Sequence, residues 1–150
     1  MYLISADWLS LPLGKGGMKS VLVLVDYFSH HVWAYKFKGE GTGKKTVNAL
    51  QTVFGTFGYP AILMSDGGRH LDCEEVNSFC RERGTRCHIT PAYVPKTNGL
   101  VENTNCLLVR ALVRATVGGL DEGHHINEWP ELLGDILAAI NSHLVSTTGQ

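Results

Sequence analysis

Three acidic side chains stand where their types and spacing could do chemistry. Asp7 lies inside an apolar, β-prone stretch, YLISADWL (2–9). Asp66 directly follows another, AILMS (61–65). Glu102 comes just behind a Pro-, Asn- and Gly-rich stretch, in TPAYVPKTNGLVENTN (90–105). Each has an ordinary role open to it. An acid in a strand faces solvent, an aspartate after a strand caps a turn, and a glutamate in a helix's first turn interacts well with the macrodipole. Taken together, the three point elsewhere. Asp7 occupies a stretch otherwise fit for burial, and a buried carboxylate needs a partner or a metal ion. The ends of strands are also where open α/β sheets build their sites.

Positioning these groups requires a sheet. After YLISADWL comes a turn, PLGKGG (12–17), then SVLVLVDYF (20–28) and VWAYKFK (32–38), which reads as an antiparallel meander. KKTVNALQTVFGTF (44–57) places Val47, Leu50, Phe54 and Phe57 at helical spacing. The continuous apolar run 61–65 suits a strand covered on both faces. Asp72 to Arg83 reads as a helix with Val76, Phe79 and Cys80 on one face and Gly84 as its stop. RCHITPAY (86–93) contains a fifth strand. Residues 101–116 form a helix with Leu108, Leu112 and Ala115 on one stripe. Residues 118–125 form a loop. Pro130 suits the first turn of a last helix with Leu133, Ile136, Leu137, Ile140 and Leu144 on its apolar face. The order β-β-β-α-β-α-β-α-α predicts an α/β fold, a mixed sheet with helices packed on it.

The totals bound the function. A chain of 150 residues is about one domain, taken as residues 1–150, and 44% hydrophobic with 18% charged residues is a globular composition. Thirteen Lys plus Arg against fourteen Asp plus Glu give a net charge of −1. That excludes a protein whose main task is to coat nucleic acid, though not an enzyme that holds it locally. No stretch approaches the roughly 20 apolar residues of a membrane span, and no signal-peptide pattern is present, so a nuclear or cytosolic location is expected. Cys73, Cys80, Cys87 and Cys106 include no CxxC pair and are expected to be reduced, mostly buried thiols. The histidine doublets 30–31 and 124–125 lack a nearby CxxC and read as loop or surface residues; the lysines of the first third read as scattered surface charge.

The ordered motifs resemble a family. Residues 67–101, thirty-five of them, separate Asp66 from Glu102. That is similar to the D,D-35-E arrangement of retroviral and long-terminal-repeat retrotransposon integrases. SDGG (65–68), TPAYVPKTNGLVEN (90–103), and WPELL, AINSH and TTG at the end of the chain resemble integrases of gypsy-type elements, over essentially the whole chain. The resemblance implies an RNase H-like five-stranded mixed sheet, three antiparallel strands then two further strands, flanked by helices. It also implies DNA integration by metal-dependent polynucleotidyl transfer. Asp7 would bridge two Mg²⁺ or Mn²⁺ ions, Asp66 would bind one and Glu102 the other. Two cations about 4 Å apart would serve the attacking and leaving oxygens of phosphoryl transfer. Water would be the nucleophile in trimming a DNA end, and a DNA 3′-hydroxyl in strand transfer. Tyr93, Pro95, Asn98 and Gly99 match positions that touch the DNA end or hinge the loop, although plain turn chemistry also explains them. A homodimer and a nuclear setting follow by the same resemblance, with DNA as partner and no membrane.

The chain also departs from the pattern. Where the family commonly has basic residues one and two turns after the glutamate, Cys106 and Val109 stand, and neither neutralises a phosphate. Arg110 is about a quarter of a turn round the helix from Glu102. The family's upstream His-His-Cys-Cys zinc module and its C-terminal DNA-binding module do not occur within these residues, so a catalytic core is expected, excised or surviving as a remnant. Two rivals remain: a domesticated or decayed integrase core that dimerises as a non-catalytic interaction module, and an RNase H-type nuclease, which the 35-residue spacing disfavours.

Overall fold

The valine–leucine alternation of VLVLV (21–25) sets the plan of the molecule. These residues lie in a strand whose side chains point alternately to opposite faces, and all five are fully buried. Val21, Val23 and Val25 enter one apolar cluster; Leu22 and Leu24 enter the other. A strand buried on both sides must be central, with helices over each face. The computed structural model describes residues 1–90, 99–117 and 125–148, with the backbone alone at 117 and 144–148.

The sheet comprises β1 (Leu3–Ser10), β2 (Met18–Asp26), β3 (Val32–Lys38), β4 (Ile62–Ser65) and β5 (Arg86–Ile89), in the order β3-β2-β1-β4-β5. β1, β2 and β3 pair antiparallel, whereas β4 runs parallel to β1 and β5 parallel to β4. This is the expected mixed α/β sheet of the RNase H-like kind. The fifth strand ends at Ile89; residues 91–93 of the expected stretch lie outside the described residues.

One face carries α1 (Gly43–Phe57) and α2 (Glu74–Glu82), which close over Ile4, Ala6, Leu22, Leu24 and Leu63. The other carries α3 (Gly99–Val117) and α4 (Trp129–Thr148), which bring Val101, Leu108, Leu112, Trp129 and Leu133 onto the β2 valines. Each fully buried side chain of this size contributes about 1.5–3 kcal/mol. Thr42 caps α1, its side chain accepting from the Lys45 N–H at 3.2 Å. Gly84, at φ 74°, takes the left-handed conformation just past α2, as expected of its stop. Asn141 of α4 acts as a strand surrogate at the sheet edge: its Oδ1 accepts from the Val32 N–H at 2.9 Å and its Nδ2 donates to the Val32 carbonyl at 3.0 Å. Trp129, fully buried, donates from Nε1 to the Pro12 carbonyl at 2.7 Å and so ties α4 to the β1–β2 turn.

Several expectations need correction. α1 buries Thr46, Ala49, Leu50, Val53 and Phe54 with Val47 packed against that cluster, so that of the expected stripe only Phe57 turns away from the core. Phe57 is 56% exposed and rests its ring on Trp33, centroids 5.4 Å apart. The reason is polar: the Thr46 hydroxyl has partners inside, described below, which turn the helix. The four cysteines are free, as expected, but only Cys80 is buried, and Cys106 is exposed on α3. Lysines of the first third are not mere scatter. Lys15 reaches Glu128 and Glu131, Lys19 reaches Glu40, and Lys36 donates to the Pro130 carbonyl. His30 and His125 are exposed, while His31 is half-buried against Trp33. His124, Leu144 and the 118–124 part of the expected loop lie outside the described residues or side chains.

Candidate active site

Strand register brings the two aspartates together. Leu3, Ile4 and Ser5 of β1 pair with Ile62, Leu63 and Met64 of β4. Continuing that parallel offset by two residues sets Asp7 level with Asp66, the first residue beyond β4. Both line a cleft of about 190 Å³ with Trp8, Gly68, His70 and Leu71. Side-chain alternation along β1 sends Ile4 and Ala6 to the α1–α2 face, hence Asp7, like Leu9, to the α3 face.

On that face Asp7 meets α3. Asn105 donates from Nδ2 to Asp7 Oδ2 at 2.9 Å. Asn105 is 8% exposed and, among the described residues, its own Oδ1 has no hydrogen-bond partner, like the Ser5 hydroxyl. Glu102 lies one turn earlier on the same helix, in its first turn, and is exposed. The three acids interact electrostatically. Burial above all, then the Asp66 charge and, more weakly, the Glu102 charge push the Asp7 carboxyl up to about 6, against hydrogen bonds from the Trp8 backbone and Asn105 that favour its charged form. A carboxyl in this state is poised to exchange its proton for a cation. The donor set is carboxylate oxygen, which fits a hard divalent ion. Among the described residues, however, no three His, Cys, Asp or Glu side chains are grouped closely enough to hold one metal ion. Asp7 and Asp66 share the cleft; Glu102 is not among the residues lining it.

The cleft's far wall is fixed by a chain of hydrogen bonds. Trp8 Nε1 donates to Thr46 Oγ1 at 2.9 Å, and the Thr46 hydroxyl in turn lies 2.8 Å from the His70 carbonyl. This is why α1 turns a threonine inward. Asp66 also does the ordinary work of its position: its Oδ1 accepts the Gly68 N–H at 3.0 Å. Gly67 between them is at φ 84°, and a Cβ there would sit 2.8 Å from Ile89 Cγ2 of β5, so the turn admits only glycine. From the β5 side, Thr90 holds the Ser65 carbonyl through both its N–H, at 2.8 Å, and its hydroxyl, at 3.1 Å.

Of the expected DNA-end residues, Tyr93, Pro95 and Asn98 lie outside the described residues, and Gly99 is the first residue of α3. Arg110 is exposed and lines a groove of about 280 Å³ with Leu9, Asn105, Cys106 and Val109. Cys106 and Val109 thus share this groove with Asn105, the residue that bonds Asp7, and Glu102 is not among the groove's lining residues. Asn105, Trp8, Thr46 and His70 were not picked out from sequence. A signal for Asn105 existed: a mid-helix asparagine three residues after Glu102 is poorly placed for helix propensity alone.

The profile of one family, described as the integrase core domain, matches residues 1–95, more than half of the chain. The chain belongs to the integrase core domain family. The chain is 31% identical to the Pro-Pol polyprotein of feline foamy virus over 138 residues, 91% of this chain and 11% of that protein. It is 29% identical to the Gag-Pol polyprotein of avian reticuloendotheliosis virus over 133 residues, 87% of this chain and 11% of the relative. The chain therefore spans about a tenth of the curated relatives it matches. A chain of a simian T-cell lymphotropic virus intasome superposes with a TM-score of 0.74 at 24% identity, covering 91% of this chain and 46% of that one. The HTLV-2 integrase catalytic core domain, in complex with magnesium and in dimeric form, gives 0.68 at 22%, covering 91% and 83%. At these identities the two structures establish the shared RNase H-like fold. Among the described residues no helix is long and apolar enough to cross a membrane.

Proposed function

We propose that this chain is the catalytic core of a retroelement integrase, with Asp7, Asp66 and Glu102 as its catalytic and metal-holding carboxylates. The observation that carries the reading is the placement of Asp7 level with Asp66 in one cleft, its carboxyl raised to about 6 by burial and by both other acids. Asp7 and Asp66 would hold Mg²⁺ or Mn²⁺ from the cleft, and Glu102 would join from α3. Such an ion, when bound, supplies Lewis-acid stabilisation of phosphodiester oxygens. The chain's residues do the positioning. Asn105 orients Asp7, the Trp8–Thr46–His70 chain holds the cleft wall, and the Gly67 turn aims Asp66. In the reaction a water or a DNA 3′-hydroxyl attacks phosphorus, and the bond to the displaced DNA oxygen breaks with no covalent enzyme intermediate. Tyr93, Pro95, Asn98, Gly99 and Arg110 would contact the DNA end. The magnesium named with the HTLV-2 core supports the cation's identity.

The groove in which Cys106 and Val109 carry no charge, leaving Arg110 as the one cation among its lining residues, favours a second reading, a decayed core serving as a dimerising interaction module. One assay separates them. A branched DNA that mimics the strand-transfer product is incubated with the protein and Mn²⁺, and the reverse reaction is followed. The enzyme resolves the branch, and Asp66→Asn reduces turnover to background. A parent protein as inert as the variant establishes the interaction-module reading instead.

A further inference from the structure

Trp8 follows Asp7 on β1, and His70 lies four residues beyond Asp66; both line the cleft that holds the two acids. One side chain from a third element bonds to both. Thr46, in the opening turn of α1, is fully buried, and its Oγ1 accepts from Trp8 Nε1 at 2.9 Å. The same oxygen lies 2.8 Å from the His70 carbonyl and 2.9 Å from that of Thr42, the residue that caps α1. A hydroxyl has one proton to give, so the two carbonyls compete for it. Donation to Thr42, one turn back, is the ordinary habit of a threonine in a helix and joins nothing new. Donation to His70 makes a continuous N–H···O–H···O=C bridge from β1 to the segment after β4, each bond polarising the next.

Both ends of the bridge are otherwise prepared for it. The Trp8 ring is packed by Phe37, centroids 5.3 Å apart, and by His70, edge-on at 6.4 Å. Gly41 approaches the same ring so closely that a Cβ there would stand 2.7 Å from it. The 66–71 segment, by contrast, is tied mainly to itself. Asp66 Oδ1 accepts the Gly68 N–H, the Leu71 N–H donates to the Gly68 carbonyl at 2.8 Å, and Leu71 packs into the apolar cluster below. Among the described residues, Thr46 supplies the one side-chain hydrogen bond that joins this segment to another element.

We propose that Thr46 is a positioning residue for the carboxylate pair. Its hydroxyl touches neither acid, yet it fixes Asp7 and Asp66 relative to one another and so sets how tightly the pair holds a divalent cation. This inference rests on the metal site proposed above. Two ligands on separate elements bind an ion weakly when each must be ordered at the moment of binding, and more tightly when that order is built in beforehand. The bridge supplies the order from α1, an element with no residue in the cleft's lining.

The test is a direct Mn²⁺ titration of the full chain at pH 7.5, with the free ion read by its paramagnetic resonance, for the parent, Thr46→Val and Thr46→Ser. Valine keeps the branched shape and removes the hydroxyl; serine keeps the hydroxyl. Thr46→Val should weaken Mn²⁺ binding roughly fivefold, the scale of one lost hydrogen bond, while Thr46→Ser should stay within about twofold of the parent. Should Thr46→Val fail to fold, Trp8→Phe, which keeps a ring but has no N–H to donate, should weaken binding in the same direction, and an unchanged affinity there overturns the inference. Equal affinity in the parent and Thr46→Val overturns it too and leaves the metal site standing, even where the variant melts at a lower temperature without metal. Thr46→Ser binding as weakly as Thr46→Val assigns the effect to packing and has the same consequence. A parent that binds no Mn²⁺ overturns both this inference and the proposed site.

Discussion

Asp7 shows what a single residue contributes when its surroundings oppose its charge. Its carboxyl stands at about 6, against the usual 3.8. In the folded state it therefore holds a proton over a window, from about pH 4 to 6, in which the unfolded chain has lost it. The folded state binds more protons there, so stability falls as pH rises through that window and levels off above it. Asp7→Asn removes the penalty while keeping an oxygen to accept from Asn105. In metal-free buffer at pH 7.5 the variant should be more stable by about 1 kcal/mol; the full shift would give roughly 3, reduced because Asp7 is only partly buried and solvent screens its charge. The gain should vanish near pH 4. Urea titrations at the two pH values check this, and a gain independent of pH would assign it to packing instead. Residue-scale detail is also where sequence reading ran short. Asp7 and Asp66, which share the cleft, stood out because acids within or just after apolar runs are conspicuous. Asn105 and Thr46 did not, because their roles depend on which neighbour each reaches: Asp7 across 98 positions, and His70 across 24.

At the scale of elements, α3 carries most of the functional argument. Its inner stripe, Val101, Leu108 and Leu112, seals the β2 valines, and its next face delivers Glu102, Asn105 and the groove of Cys106, Val109 and Arg110. If DNA runs along that groove, its only cation among the lining residues is Arg110. Cys106→Lys should then tighten binding and steepen the dependence of log K on log salt by roughly one unit. Binding titrations of a DNA end at several salt concentrations measure it; coincident slopes would place DNA elsewhere. The strands and helices were readable from period-2 and 3.6 patterns, and β3, Val32–Lys38, was readable to the residue, whereas β2 begins and ends two residues before the expected 20–28. The face of α1 was not legible. An apolar count favours Phe57 over Thr46, whereas the fold turns Thr46 inward because its hydroxyl bridges Trp8 and the His70 carbonyl. A polar residue that satisfies buried groups outranks an exposed phenylalanine.

The whole molecule joins a sheet edge, two helical layers and one carboxylate cleft. Antiparallel β1–β3 and parallel β4 place Asp7 and Asp66 side by side, a pairing the order of elements implied but could not fix in register. Family membership was likewise legible in motif order rather than in any one motif. The proposed integrase-core reading predicts a homodimer, so sedimentation at micromolar concentration should give the dimer mass; monomer alone would count against that assembly.

Cation binding tests the central claim, that these carboxylates form a divalent metal site. A cation that binds only the folded state stabilises it by RT ln(1 + [L]/Kd), about 2.7 kcal/mol at a hundred times Kd. Thermal melts of the parent at pH 7.5, with and without millimolar Mn²⁺ or Mg²⁺, should show a Tm that rises with cation concentration, and Asp66→Asn should lose most of the rise. A parent Tm indifferent to both ions, or an equal rise in Asp66→Asn, would contradict the account.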